Sequence, residues 1–240
     1  MEADKFSIQI GSMEMRLISE SHQLRTRIED ELGWSIGSRF LLKAGLLVGR
    51  PGDTSVGRPA WVLYESGNIV LRRSVDEDVI SAAACYHLHT LDRALSDRHL
   101  PLNVRVFLVN GEAWLVDTSV AYQLAGLDRG MLRRGVVVLP TSIAAVDTAT
   151  GELVLPDRTF GEDVPSGRIA LARVMLRPPS FDRLEAARPL LGLARSVVRT
   201  ADADLDVRLG QVVELARRLG DGLEVRDREQ IVEVVDSLSK

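Results

Sequence analysis

The dipeptide Asn110-Gly111 stands between two largely apolar runs, residues 105–109 and 112–116. Asn and Gly both accept the positive φ of a tight two-residue turn, so the segment is constrained to a β-hairpin. Its second arm runs into Asp117-Thr118-Ser119. A helix is expected over 120–134, weakened by Gly126 and Gly130. Strands follow at 136–139 and 143–146, a turn at 147–151 and a strand at 153–155.

The flanks fill out a mixed α/β chain. Two short strands are expected at 6–10 and 13–18 around Gly11-Ser12, then an amphipathic helix over 20–32 ended by Gly33. Residues 39–48 read as a strand, 49–59 as a Gly- and Pro-rich loop, and 60–64 with 68–73 as a second hairpin. Ser74-Val75-Asp76-Glu77 has the pattern of a capping box and opens a helix to about residue 97. Val79, Ile80, Ala83, Ala84, His87, Leu88, Leu91 and Leu95 recur at helical spacing and form its expected core face. Residues 156–167 make the best linker candidate, and 169–176 reads as a strand stopped by Pro178-Pro179. Helices are expected over 181–198, 205–219 and 227–238, the last capped by Asp227 with Gln230. Leu205, Leu209, Val212, Val213, Ala216 and Leu219 make one apolar stripe, expected to pack onto the core.

Composition narrows the classes. Hydrophobic residues are 45% and charged residues 27% of 240, as in ordinary globular chains. A net charge of −4 gives no electrostatic reason for a nucleic-acid or anionic-membrane partner. Cys85 is the only cysteine, which excludes an intramolecular disulfide and fits a reducing cytoplasm. The first residues lack the pattern of a signal peptide, and no run approaches the ~20 apolar residues of a membrane span. Lysine occurs only at positions 5, 43 and 240, so a phosphate-binding lysine has few candidates.

Strand, loop and helix over 113–134 follow the layout of a phosphate loop, whose pattern is G-x-x-x-x-G-K-[ST]. In such a loop the glycines let backbone N–H groups converge on phosphate, the lysine neutralises charge and the hydroxyl holds Mg²⁺. Here Asp117 occupies the first glycine position, Tyr122 the second, Gln123 the lysine position and Leu124 the hydroxyl position. Thr118 and Ser119 lie between. Arg134-Gly135, the strand at 136–139, Pro140-Thr141-Ser142, the strand at 143–146, the turn Asp147-Thr148-Ala149-Thr150-Gly151 and the segment 153–156 follow in order.

In this layout the chain resembles the HPr kinase-like family, which shares the phosphoenolpyruvate carboxykinase fold. The resemblance covers most of the chain and rests on layout and spacing. It implies an α/β (α+β mixed) fold in three parts: an N-terminal strand and helix region (1–100), a degenerate P-loop kinase-like core (101–176) and a helical C-terminal region (177–240). It places an acidic cluster where Thr141-Ser142 stands, and a histidine-containing segment where Asn103-Val104-Arg105 stands. An acidic side chain at the loop's first position repels a triphosphate, Tyr122 lacks glycine's backbone freedom, and Gln123 supplies no charge. Thr141-Ser142 offers no carboxylate for a metal or general base.

The expectation is therefore a catalytically inactive kinase-like protein, a pseudokinase, with no catalytic residues, no metal site and no cofactor. By analogy it serves as a protein- or peptide-binding accessory factor, in the setting of a bacterial peptide natural-product pathway, with self-association plausible. Asp117, Thr118, Ser119, Tyr122, Gln123, Thr141 and Ser142 are its candidate ligand- or partner-binding residues. The alternatives are a divergent phosphotransferase or other transferase that keeps ATP and Mg²⁺, recruiting Asp147 and Arg129, Arg133 or Arg134, or a small-molecule sensor.

Other motifs carry less. Gly49–Ser55 lacks Lys-Ser/Thr and reads as a surface loop. His87 and His89 sit two apart on a helix and face different ways, so they make poor metal partners, as do His22 and His99. Cys85 reads as a buried small side chain. Asp202, Asp204 and Asp206 lack the Gly and Glu of an EF-hand. The three tryptophans are too scattered for a base-stacking platform.

Overall fold

The computed structural model describes residues 4–10, 13–32, 36–37, 45–49, 61–65, 69–96, 98–118, 135–158, 164–178, 187–198 and 204–238. It shows a mixed α/β fold built on two sheets. In the first, β1 (Asp4–Ile10), β2 (Met13–Ser19), β3 (Ile36–Gly37), β4 (Gly45–Gly49), β5 (Trp61–Glu65) and β6 (Ile69–Ser74) stand in the order β3-β1-β2-β4-β5-β6. Both expected hairpins are present, β1 with β2 and β5 with β6. Helix α1 (His22–Leu32) buries Leu24 and Ile28 in the main core.

Helix α2 (Glu77–Leu95) lies between the sheets, against β4–β6 and α1 on one side and the second sheet on the other. Burial on both sides explains why Ile80–Leu88 is enclosed without a break. Its cap differs from the expected capping box. Asp76 is the N-cap and accepts from Asp78 N at 2.9 Å, while Ser74 Oγ accepts from Asp76 N at 3.0 Å. Val79, expected in the core, is 36% exposed.

The second sheet contains β7 (Leu100–Val109), β8 (Glu112–Asp117), β9 (Val136–Val138), β10 (Ile143–Asp147), β11 (Glu152–Val154), β12 (Arg168–Leu176) and β13 (Leu223–Val225). The Asn110-Gly111 turn has φ of 54° and 85°, the two positive values that the hairpin requires. Strand β7 is longer than expected because 100–104 also joins it. That stretch, with Pro101, pairs with β10, while Phe107–Val109 pairs with β9. The order β10-β11-β12-β8-β7 therefore returns from β7 to β10 and closes on itself. Strand β12 runs parallel to β8 and to β13.

The linker candidate leaves β11 and returns to β12, which pair antiparallel, and Leu155 N donates to Gly167 O at 2.7 Å. The C-terminal region is not purely helical, since β13 extends the sheet. Helices α3 (Arg188–Ser196) and α4 (Leu205–Leu219) pack together on the main core, and α5 (Arg228–Ser237) buries Ile231 and Val235 against Phe107, Val116, Val136 and Met175. The Asp227–Gln230 capping box forms as read. The apolar stripe of α4 does not all face inward: Val212 is buried, but Leu205, Leu209 and Val213 are 69%, 47% and 53% exposed. No described helix is long and apolar enough to cross a membrane.

Candidate functional site

Strands β8, β12 and β13 are parallel neighbours, so their carboxyl ends, Asp117, Leu176 and Val225, finish on one side of the sheet. Ligands of α/β proteins bind characteristically outside the carboxyl ends of parallel strands. A cleft of about 380 Å³ opens there, lined by Pro178, Arg188, Pro189, Val225, Asp227 and Gln230. Pro178 follows β12, Val225 ends β13, and the other four come from the first turns of α3 and α5 or the cap of α5. Its size falls at the low end for small-ligand pockets, about 300–1,000 Å³. Three polar residues and three apolar ones share the lining, and two of the polar ones, Asp227 and Gln230, are joined in the cap of α5.

Asp117 and Thr118 continue β8 at this same sheet end, both half-buried. The Asp117 carboxylate accepts from Arg177 N at 3.3 Å, which ties the ends of β8 and β12 together. Ser119, Tyr122 and Gln123 lie outside the described residues, as do Arg129, Arg133, Arg134 and the helix expected over 120–134.

The other two candidates, Thr141 and Ser142, lie in the connection between β9 and β10. The backbone brings them close to Asp117: Val104 of β7 pairs with Asp117 on one side and donates its N–H to Ser142 O at 2.9 Å on the other. Two strand spacings separate the flanking chains, roughly 10 Å. The hydroxyls, however, serve the interior. Thr141 is 1% and Ser142 0% exposed. Thr141 Oγ1 lies 3.1 Å from His87 Nδ1, donates to Ile143 O at 2.9 Å and accepts from Ile143 N at 3.1 Å. Ser142 Oγ donates to Glu65 Oε2. His87 Nε2 lies 3.9 Å from Glu65 Oε1, and Arg105 Nη1 donates to Thr141 O at 3.0 Å. A polar node thus joins β5, α2, β7 and the β9–β10 connection.

Burial pushes the His87 pKa below the ordinary histidine range, against the pull of Glu65 and with the push of Arg105. A neutral imidazole with one nitrogen on a hydroxyl and the other facing a carboxylate has the connectivity of a base–orienter pair. Sequence reasoning missed this node. The one signal was His87 on the expected core face of α2, where a histidine demands a polar partner. Nothing local identified that partner as Glu65, Thr141 or Arg105.

Asp147 is also engaged. It accepts from Ala149 N at 3.0 Å, Thr150 N at 3.3 Å and Arg168 Nη1 at 2.7 Å. Partial burial pushes its carboxyl up, but these bonds outweigh burial and hold it below the usual range. Cys85 is buried, as expected. Among the described residues no three His, Cys, Asp or Glu side chains are grouped to hold a metal. No family model, curated protein or solved structure matches this chain.

Proposed function

We propose that this protein is a catalytically inactive HPr kinase-like domain, a pseudokinase, that binds a protein or peptide partner as an accessory factor, in the setting of a bacterial peptide natural-product pathway. The observation that carries the reading is the fate of Thr141 and Ser142. The resemblance puts an acidic pair at this position beside the phosphate loop. Here two hydroxyl residues stand there and bond inward to Ile143, His87 and Glu65. On the other side of Val104, Asp117 puts a carboxylate where a triphosphate would need a neutral, donor-rich turn. The cleft beyond Val225 supplies a recognition surface at the sheet end where such folds take ligands.

Two measurements test the proposal. Titration with millimolar ATP and Mg²⁺ is expected to give no saturable heat, and saturable binding that Gln123 substitution weakens would overturn it. A photoreactive residue in place of Val225 is expected to crosslink a defined polypeptide in the native host, with loss of that product in Arg188→Glu. Crosslinking unaffected by Arg188→Glu would count against the cleft.

A further inference from the structure

Helix α4 presents two unlike faces. Arg208, Val212 and Leu215 are buried, and Arg208 anchors that side to His99 O at the start of β7. About a quarter turn round from it, Leu205, Leu209 and Val213 stand in one line four residues apart, all exposed, with half-buried Ala216 beside them. At ~100° per residue, Asp206, Gly210 and Arg217 fall along one flank of this line. Gly210 opens to space: a Cβ there would meet nothing within 4 Å. Charge is divided along the helix, with Asp204 and Asp206 at its start and Arg217 and Arg218 in its last turn. Arg217 holds Glu214 through Nε and Nη2, and Nη1 carries no bond among the described residues.

We propose that this face docks a second copy of the same chain, with the two α4 helices antiparallel across a twofold axis near Gly210 and Gln211. A twofold contact uses the same patch on both copies, so a patch must complement itself. This one does so only when antiparallel. In that orientation each flank meets its own counterpart reversed, and Asp206 of one copy faces Arg217 of the other, twice. A parallel pair sets like charges level with each other. The apolar line also closes on itself, Leu209 against Val213 across the axis. Gly210 stands on the charged flank at the level of the axis, where its missing side chain leaves room for the flank of the other copy. A single helix pair falls short of the roughly 1,000 Å² of a stable interface, so the association is weak and concentration-dependent.

Sedimentation velocity over a concentration series tests this. The expected result is reversible growth from 26.4 kDa towards twice that mass. Gly210→Arg places two arginines at the axis without touching the rest of the fold, and is expected to leave a folded monomer at every concentration. Asp206→Arg is expected to weaken association about tenfold, and the swap Asp206→Arg with Arg217→Asp to restore it. Circular dichroism shows that each variant is folded. A wild-type chain that stays monomeric to millimolar concentration, a dimer indifferent to Gly210→Arg, or a swap that fails to restore association in a folded variant would each overturn the proposal.

Discussion

Asp117 and Ser142 flank the same residue, Val104, and the fold treats them in opposite ways. On the β8 side, Asp117 and Thr118 stay half-buried near a cleft, and Asp117 accepts from Arg177 N at 3.3 Å beyond the end of the next strand. On the β10 side, Thr141 and Ser142 are enclosed and bonded to groups from distant parts of the chain. Helix α2 creates the difference. It covers the β10 side and brings His87 into the protein, whereas the carboxyl ends of β12 and β13 border a cleft lined from α3 and α5. Two segments equally eligible as ligand contacts in the sequence thus become one internal brace and one surface.

Substitutions can break that contrast. Arg105→Ala should have the largest effect. It removes the donor to Thr141 O and the packing of a side chain that is 4% exposed, at a cost of about 3 kcal/mol in urea unfolding. Thr141→Val keeps the shape but deletes a hydroxyl facing His87 Nδ1 and both Ile143 backbone groups, and should cost about 1–3 kcal/mol. Equal losses from Thr118→Val would end the comparison. That change, and Asp117→Asn, should stay within about 0.5–1 kcal/mol of wild type while altering partner crosslinking at the cleft.

Acid should separate the two sides as well. With His87 held neutral by burial, the native state binds fewer protons than the unfolded chain, where histidine titrates near ~6.5. Stability present above that pH is therefore lost as the pH falls below it. Burial lowers His89 too, so the assignment rests on a difference. The loss between about pH 7.5 and about pH 5.5 should shrink in His87→Gln and persist in Asp117→Asn.

What the sequence revealed follows the range of the forces involved. The Asn110-Gly111 hairpin, the bounds of α4 at Leu205–Leu219 and the Asp227–Gln230 cap depend on neighbouring residues, and all three were legible. The first half of β7 was not. Pro101 cannot donate to a ladder, so its run does not read as a strand, yet it pairs with Ala145. Strands β3 and β13 are two and three residues long, too short to show a period. Asp117, read as the first residue after a strand ending at Val116, is the last residue of that strand, a shift of one position. The Glu65–His87–Thr141 node stayed hidden because its members meet only after α2 is laid between two sheets. The exposed line on α4 was misread for a related reason: a helical period reports an apolar face but not what covers it.

The return of β7 to β10 has a consequence of its own. A ribbon of strands offers two outer rows of unpaired amides, from which it can peel and onto which another chain can add. The ring through β7, β8, β12, β11 and β10 has no first or last member, and β9 and β13 cap the remaining lengths of β7 and β12. Opening it means breaking two ladders at once, so this half of the molecule should behave as a single all-or-none unit while the first sheet, which ends in β3 and β6, can fray from either side.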